Sequence, residues 1–136
     1  MSGSFFDTSV LVYIASGEAT KADRAEGFIG DGGAISVQVL NELTNVARRK
    51  MRMSWPEIHA LLSTVRGLLA VQPLTIETHE TGLTLAERYN FSTYDAMIAA
   101  AALHAGCETL WSEDMQHGME LREGLRIANP FHRLSA

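Results

Sequence analysis

The sequence predicts an α/β fold with a mostly parallel sheet of about five strands, flanked by helices on both faces. Short apolar segments alternate with stretches of helical periodicity along the whole chain, which is the pattern of strand–helix–strand units. The apolar segments are nearly continuous, as expected for strands that are buried on both faces. With 136 residues, 46% of them hydrophobic, the chain fits one domain over residues 1–136.

Five segments have the length and composition of buried strands. They are Phe5–Phe6, Ala34–Val37, Val71–Leu74, Thr109–Ser112 and Arg126–Asn129. Pro73 lacks a backbone N–H, so the third of these strands is predicted at an edge of the sheet.

Helices are predicted between these strands from apolar spacing and from residues that cap or end a helix. The predicted helices are Ser9–Ala15, ended by Gly17; Thr20 to the glycine-rich turn Gly27–Gly33; Gln38–Lys50; a helix capped by Ser54; Thr75–Tyr89; and Ala96–Leu103, ended by Gly106. The start at Ser54–Glu57 is the clearest, because a serine cap is followed by a proline and then a glutamate at the third helical position. The helix over Ala96–Leu103 is apolar all round and is predicted to be buried. The segment Glu113–Met119 is predicted to be a loop or a short helical turn.

The formal net charge of -5 argues against a protein that coats nucleic acid through bulk electrostatic attraction. The positive charge is nevertheless concentrated, since four of the eleven basic residues are Arg48, Arg49, Lys50 and Arg52. Two interpretations stay open. These cations either complement the dipole at an exposed helix end or form a patch that contacts phosphate or an acidic partner.

The longest apolar runs, residues 10–15 and 96–103, are far too short to span a bilayer. The N-terminus lacks the basic start of a signal peptide, so a cytoplasmic location without membrane attachment is expected. The one cysteine, Cys107, cannot form an internal disulfide, and its apolar neighbourhood favours a buried, unreactive thiol.

Asp7 is the only formally charged residue between Met1 and Gly17, and it follows two phenylalanines at the end of the first predicted strand. A carboxylate removed from water needs a partner, because an unpaired buried charge is costly. No basic residue stands nearby in the sequence. Asp7 therefore either caps the following helix or belongs to a site that binds a cation.

Three further acidic residues occupy comparable positions in the predicted fold. Glu42 lies one helical turn past the second strand, Asp95 starts the buried helix, and Asp114 follows the fourth strand. Each has an ordinary structural explanation, Glu42 as a solvated helix residue and the two aspartates as first-turn acids that complement a helix dipole. Together, however, they are expected at the rim formed by the carboxyl ends of parallel strands, where the sites of such sheets form.

Carboxylates gathered at one rim favour a divalent cation. Two of them about 4 Å apart repel by roughly 4 kcal/mol at an effective dielectric constant of about 20. Oxygen-only ligands suit magnesium or manganese, whereas zinc prefers histidine and cysteine. None of the five histidines has paired metal-ligand spacing, and neither a serine-hydrolase motif nor a phosphate-binding glycine loop occurs. The acids therefore predict a site for Mg²⁺ or Mn²⁺.

Four segments together resemble a known family. FFDTSVLVY, ISVQVLNEL, YDAMIAAAA and LWSEDMQHG are similar, in order and spacing, to the four signature segments of PIN-domain ribonucleases, specifically the VapC-type toxins of prokaryotic toxin–antitoxin pairs. The resemblance extends from about Phe5 to Asn129. It implies a five-stranded parallel sheet flanked by helices, and an acidic quartet that binds magnesium or manganese for RNA cleavage.

By motif position, the resemblance assigns the acidic quartet to Asp7, Glu42, Asp95 and Asp114. Glu113 is an adjacent alternative for the last member. Asp7 and Asp95 are expected to be the principal metal ligands, and the other two acids are expected to complete the site directly or through water. The family's hydroxyls after the first and fourth strands match Thr8 and Ser112, which are expected to orient water or carboxylates.

The resemblance implies a metal-dependent endoribonuclease that leaves a 5′-phosphate and a 3′-hydroxyl. It also implies two protein partners, a cognate antitoxin and a second copy of the chain in a homodimer. The basic residues Arg48, Arg49, Lys50 and Arg52 would then hold the RNA backbone. One or two metal ions, and transfer, ribosomal or messenger RNA as substrate, all stay open.

Two other functions compete with this interpretation. The main alternative is a non-catalytic PIN-like module that binds RNA or a protein, with its acids serving only helix starts. A phosphatase of the haloacid dehalogenase type also begins with a buried strand that ends in aspartate. That family expects a second aspartate two residues later, where this chain has Ser9.

Overall fold

The structure, a computed structural model, describes residues 3–16 and 18–132 and has the predicted α/β architecture. In this part of the chain, five parallel strands form one sheet in the order β3-β2-β1-β4-β5. The strands are β1 (Ser4–Phe6), β2 (Ala34–Ser36), β3 (Ala70–Gln72), β4 (Thr109–Trp111) and β5 (Arg126–Ala128). The predicted edge position of the third strand is confirmed, although β3 ends at Gln72, before Pro73.

Six α-helices of the described residues connect the strands. They are α1 (Thr8–Ala15), α2 (Ala19–Gly30), α3 (Val37–Arg49), α4 (Trp55–Leu68), α5 (Ile76–Tyr89) and α6 (Thr93–His104). The strand order moves from β1 to β3 in one direction and then returns to β4 on the other side of β1. Right-handed crossovers therefore place α1 to α4 on one face of the sheet and α5 and α6 on the other. No helix within 3–16 and 18–132 is long and apolar enough to cross a membrane.

The predicted capping box of α4 is confirmed. The Ser54 hydroxyl accepts the N–H of Glu57 at 3.3 Å, and the Glu57 carboxylate accepts the N–H of Ser54 at 2.7 Å. These two bonds satisfy backbone donors that would otherwise lack a partner at the helix start.

The predicted start of the second helix at Thr20 is wrong, whereas its end lies within the predicted turn Gly27–Gly33. The α2 helix begins at Ala19 without a side-chain cap, and it continues through Gly27 to Gly30. Ile29, which is buried in the core, lies beyond Gly27, and this packing outweighs the roughly 1 kcal/mol by which a glycine disfavours a helix. The predicted end of the first helix at Gly17 lies outside the described residues.

The α6 helix is the buried helix that its composition predicts. Residues 96–102 are all buried, and the helix contacts α5 and the strands β2 and β4. Gly82 of α5 faces α6, and an added Cβ there would lie 2.6 Å from the Met97 sulfur, at the end of that side chain. The glycine that weakens the helical propensity of α5 thus leaves room for the Met97 side chain of α6.

Candidate active site

The order of the strands has its topological switch point between β1 and β4. In such sheets a crevice opens beyond the carboxyl ends of the two strands, because their connections leave in opposite directions. Asp7 directly follows β1, and Ser112 directly follows β4. The Asp7 N–H donates to the carbonyl of Trp111 at 2.9 Å, and the Ser112 hydroxyl donates to Asp7 Oδ2 at 2.7 Å. These bonds join the two strand ends at the crevice.

Asp7 is 3% exposed, and its carboxylate accepts three hydrogen bonds. The donors are the Thr8 N–H at 2.8 Å, the Ser9 hydroxyl at 2.8 Å and the Ser112 hydroxyl at 2.7 Å. Burial raises the pKa of Asp7 to about 6, although the two hydroxyls lower it, and the charges of Asp95 and Asp114 raise it further. Asp7 does cap α1. Within the described chain, however, no basic side chain forms an ion pair with it.

Glu42 faces the same crevice from α3 and is more than a solvated helix residue. Its Oε1 accepts the Thr8 hydroxyl at 2.9 Å, and its Oε2 accepts the side-chain amide of Gln38 at 2.8 Å. Both donors are neutral, so they orient the carboxylate without cancelling its charge. The bond from Thr8 also ties the start of α1 to α3.

Asp95 occupies the first turn of α6, where Ser92 caps the helix by accepting the Asp95 N–H at 3.2 Å. Its side chain is half-buried. Burial raises the pKa of Asp95, the Ser92 hydroxyl lowers it, and the charges of Glu42 and Asp114 raise it further. The last two effects show that acids from α3, from α6 and from the segment after β4 lie near one another.

Glu113 and Asp114 are adjacent in sequence but differ in environment. The Glu113 carboxylate accepts the Tyr13 hydroxyl at 2.7 Å and forms an ion pair of 2.6 Å with Lys21. The hydrogen bond to Glu113 raises the pKa of Lys21 above its ordinary value. The charge of Glu113 is therefore paired. Asp114 is exposed, forms no ion pair with another described residue, and acts electrostatically on Asp7 and Asp95.

All of these acids line one open cavity of about 810 Å³. The five carboxylates in its lining are Asp7, Glu42, Asp95, Glu113 and Asp114. The α3 helix adds the neutral amides of Asn41 and Asn45 and, at its end, Lys50. Tyr94, which directly precedes Asp95 on α6, also lines the cavity. The structure thus brings the predicted quartet together at one edge of the sheet.

The basic residues that follow one another in sequence have different neighbours. Lys50 lines the cavity, whereas the Arg48 guanidinium lies over the ring of Trp55 at 4.4 Å. The Arg49 side chain donates to Asn45 at 2.9 Å, and Arg52 follows the helix with a left-handed φ of 54°. Their role in holding RNA stays a prediction, and Lys50 is best placed for it.

The chemistry of the cavity fits a hard divalent cation. Its charged ligands are carboxylates, and none of the histidines contributes to its lining. Among the residues that the structure describes, no group of three or more His, Cys, Asp or Glu side chains is arranged to hold a metal ion. Mg²⁺ is usually bound by only one or two carboxylates together with water. The acids therefore offer suitable ligands for such an ion without forming a closed cage.

Several residues of the site were not predicted from the sequence. The Ser9 hydroxyl donates to Asp7 and accepts the N–H of Glu113 at 3.0 Å. Gln38 precedes Glu42 by one helical turn, and this spacing could have revealed it. Lys21 lies 92 residues from Glu113, and no local pattern indicates that pair.

This chain is similar to known proteins in both its sequence pattern and its fold. The family model for the PIN domain matches residues 4–117. No curated protein sequence shows a significant match. A toxin–antitoxin complex from Klebsiella pneumoniae has a chain that is 21% identical, with a TM-score of 0.69, over 94% of this chain and 98% of its own.

Two other solved structures are similar at lower identity. VapBC2 from Rickettsia felis, bound to a DNA fragment from its promoter, gives a TM-score of 0.67 at 18% identity, over 93% of this chain and 97% of its own. Mycobacterium tuberculosis VapC20, described as a sarcin–ricin loop cleaving toxin, gives 0.65 at 17% identity, over 82% and 92%. At these identities the likeness establishes the shared fold.

Proposed function

Because this chain belongs to the PIN-domain family, we propose that it is a metal-dependent endoribonuclease and the toxin of a toxin–antitoxin pair. The observation that carries this proposal is the convergence of four acids on one cavity at the switch point of the sheet. These acids are Asp7, Glu42, Asp95 and Asp114. Their charges act on one another, and apart from hydrogen bonds they have no ion-pair partner among the described residues.

In this proposal, Asp7 and Asp95 bind Mg²⁺ or Mn²⁺ directly. Glu42 and Asp114 complete the site, either directly or through water. When bound, such a cation supplies Lewis-acid stabilisation of the charge on the scissile phosphate and lowers the pKa of water. The hydroxyls of Ser9 and Ser112 fix the orientation of the Asp7 carboxylate, and Thr8 fixes that of Glu42.

The surroundings of the cavity support RNA as the substrate and a protein as the partner. Lys50 at the cavity can contact a phosphate of the RNA backbone. Solved structures of the same fold include a toxin described as cleaving the sarcin–ricin loop and a complex of toxin with antitoxin. We therefore also propose a cognate antitoxin, a homodimer and, since RNA is the substrate, a cytoplasmic location.

A second function, a non-catalytic module that binds RNA or a protein, is favoured by two observations. Asp7 caps α1 and has its carboxylate engaged by three hydrogen bonds. In addition, no metal-ligand group of three or more side chains is preformed in the described ranges. Under this alternative the acids serve the starts of α1 and α6, and no cleavage occurs.

Cleavage of total RNA by the purified protein distinguishes the two functions. We expect the wild type to produce discrete 5′ ends with Mg²⁺ or Mn²⁺ and none with EDTA, and Asp7→Asn and Asp95→Asn to produce none. Asp23→Asn is the matched control, because Asp23 is exposed on α2 and does not line the cavity. Identical end maps for the wild type and Asp7→Asn, or no metal-dependent ends at all, would remove the proposed activity.

A further inference from the structure

We infer that the ring of Tyr94 forms a nucleobase subsite beside the acid cluster and stacks on a base of the nucleotide that flanks the scissile phosphate. This inference rests on the proposed ribonuclease function. It concerns how the strand is held, and it names a residue to which neither the motifs nor the metal chemistry gives a role.

Tyr94 is 64% exposed. The other two tyrosines are half-buried and bonded, since Tyr13 donates to Glu113 and Tyr89 accepts the N–H of Arg122. Tyr94 forms no hydrogen bond or ring contact with any other residue in the described part of the chain. A solitary exposed aromatic residue is common on protein surfaces, so its exposure alone carries no function.

The position of Tyr94 is what gives its exposure a meaning. Tyr94 lines the acidic cavity together with Asp95, which directly follows it in the chain. Both lie in the first turn of α6, a helix that is anchored by its buried residues and by the Ser92 cap. Because Tyr94 and the acids line one cavity, a base on the Tyr94 ring would belong to a nucleotide close to the phosphate at the acids.

The composition of the cavity favours a base as a contact beside the acids. Four carboxylates of the lining have no ion pair among the described residues and repel a phosphate, and Lys50 is the one cation that lines the cavity with them. A base is uncharged and approaches without this cost, and aromatic side chains are a common platform for unpaired RNA bases. The rest of the lining is suited to a base as well, because Asn41 and Asn45 carry neutral amides and Val12 and Met51 are apolar.

The size of the cavity agrees with this assignment. Its volume of about 810 Å³ far exceeds the space that a hydrated cation needs. It falls within the range of about 300 to 1,000 Å³ that is usual for sites binding organic ligands. The cavity therefore has room for a nucleotide as well as for a hydrated cation.

The test compares Tyr94→Leu, which removes the ring, with Tyr94→Phe, which keeps it. Leu83→Ala is the matched control, because Leu83 is 49% exposed on α5 and does not line the cavity. The substrate is an oligonucleotide that spans a cleavage site mapped in total RNA. One version of this oligonucleotide carries all of its bases. Two other versions carry an abasic ribose, on one side or on the other side of the scissile bond. Rates are measured at several RNA concentrations, so that KM and kcat are obtained separately.

We expect Tyr94→Leu to lower kcat/KM for the full substrate roughly 5- to 150-fold, mainly through KM, as loss of one stacked base predicts. Tyr94→Phe should retain most of the efficiency, and Leu83→Ala should equal the wild type. On the substrate that lacks the stacked base, the kcat/KM of the wild type should fall to that of Tyr94→Leu on the full substrate. A merely structural role of Tyr94 would not produce this dependence on the base.

The subsite would be contradicted if Tyr94→Leu lowered kcat/KM by the same factor on the full and the abasic substrates. It would also be contradicted if Tyr94→Phe had a kcat/KM as low as that of Tyr94→Leu, or if Tyr94→Leu changed the oligomeric state but not the kinetics. If Tyr94→Leu cleaved RNA as fast as the wild type, the subsite alone would be contradicted. If the wild type showed no metal-dependent cleavage, both the proposed function and the subsite would be contradicted.

Discussion

Asp7 is both a helix cap and a buried charge, and these two roles have opposite effects on stability. A side-chain cap contributes about 1 kcal/mol. Burial disfavours the ionised carboxylate and raises the pKa of Asp7 to about 6, despite hydrogen bonds from two serines. Serine or asparagine would cap the helix without this charge. Capping alone therefore does not require an aspartate at this position, whereas the proposed cation site would.

Asp7→Asn should gain stability relative to the wild type as the pH rises, when no metal is present. The pKa of Asp7 is raised from 3.8 to about 6, so its stabilising contribution is complete below the lower value and is lost as the pH rises through the higher one. Asparagine does not titrate. The unfolding free energy of the variant minus that of the wild type should increase by roughly 3 kcal/mol across this window. Urea denaturation in EDTA at a series of pH values measures the difference, and a flat difference would contradict the raised pKa.

Asp114→Asn should reduce metal-dependent RNA cleavage more than Glu113→Gln does. The charge of Glu113 is paired with Lys21, whereas that of Asp114 acts on Asp7 and Asp95. We expect a loss of roughly 10- to 100-fold for Asp114→Asn, the range seen when groups around a metal are altered. Initial cleavage rates with saturating Mn²⁺ provide the comparison, and thermal unfolding confirms that both variants fold. The reverse order would assign Glu113 to the acidic site.

At the scale of helices and strands, the sequence predicts the type and order of the elements better than their ends. The second strand was predicted to include Val37, yet β2 ends at Ser36, whose hydroxyl accepts the N–H of Val39 and starts α3. The third strand begins earlier than predicted, at Ala70, because it pairs in register with Ala34. Such ends depend on caps and on partner strands, which hydrophobic patterns do not contain.

The acid cluster could be predicted because the positions of the acids follow from the order of strands and helices. Each acid follows a strand or lies near the start of a helix, and the carboxyl ends of parallel strands share one edge. The partners of these acids could not be predicted in full. Lys21 reaches Glu113 only because α2 lies near the segment after β4, and nothing in either segment specifies this placement.

Gly82→Ala tests the packing of α5 against α6. The new methyl group would lie 2.6 Å from the Met97 sulfur, so the end of this flexible side chain must move. We expect a small loss of about 1 kcal/mol in unfolding free energy, at the low end of the range for overpacked cores. Gly67→Ala on α4 is the control, because no atom lies within 4 Å of its added Cβ, and it should be neutral or stabilising. Denaturant midpoints that fall equally in both variants would contradict the role of Gly82.

At the scale of the whole molecule, the sheet order determines where negative charge accumulates. The switch point between β1 and β4 brings two strand ends to one crevice, and α3 and α6 add their acids beside it. The fold therefore concentrates repulsion at one edge while the hydrophobic core stabilises the chain elsewhere. A protein built in this way should depend on cations for stability as well as for activity.

Mg²⁺ or Mn²⁺ is accordingly expected to stabilise the folded protein, since unfolding disperses the acids that bind it. A cation that binds only the folded state at about ten times its Kd adds roughly 1.4 kcal/mol to the unfolding free energy. We expect Tm to rise with MnCl2 at constant ionic strength for the wild type and for Asp23→Asn, and to return on addition of EDTA. Asp95→Asn should show little rise, because it loses a charge at the half-buried centre of the cluster. If all three proteins gained the same Tm, the cation would be acting elsewhere, and the acid cluster would not be its site.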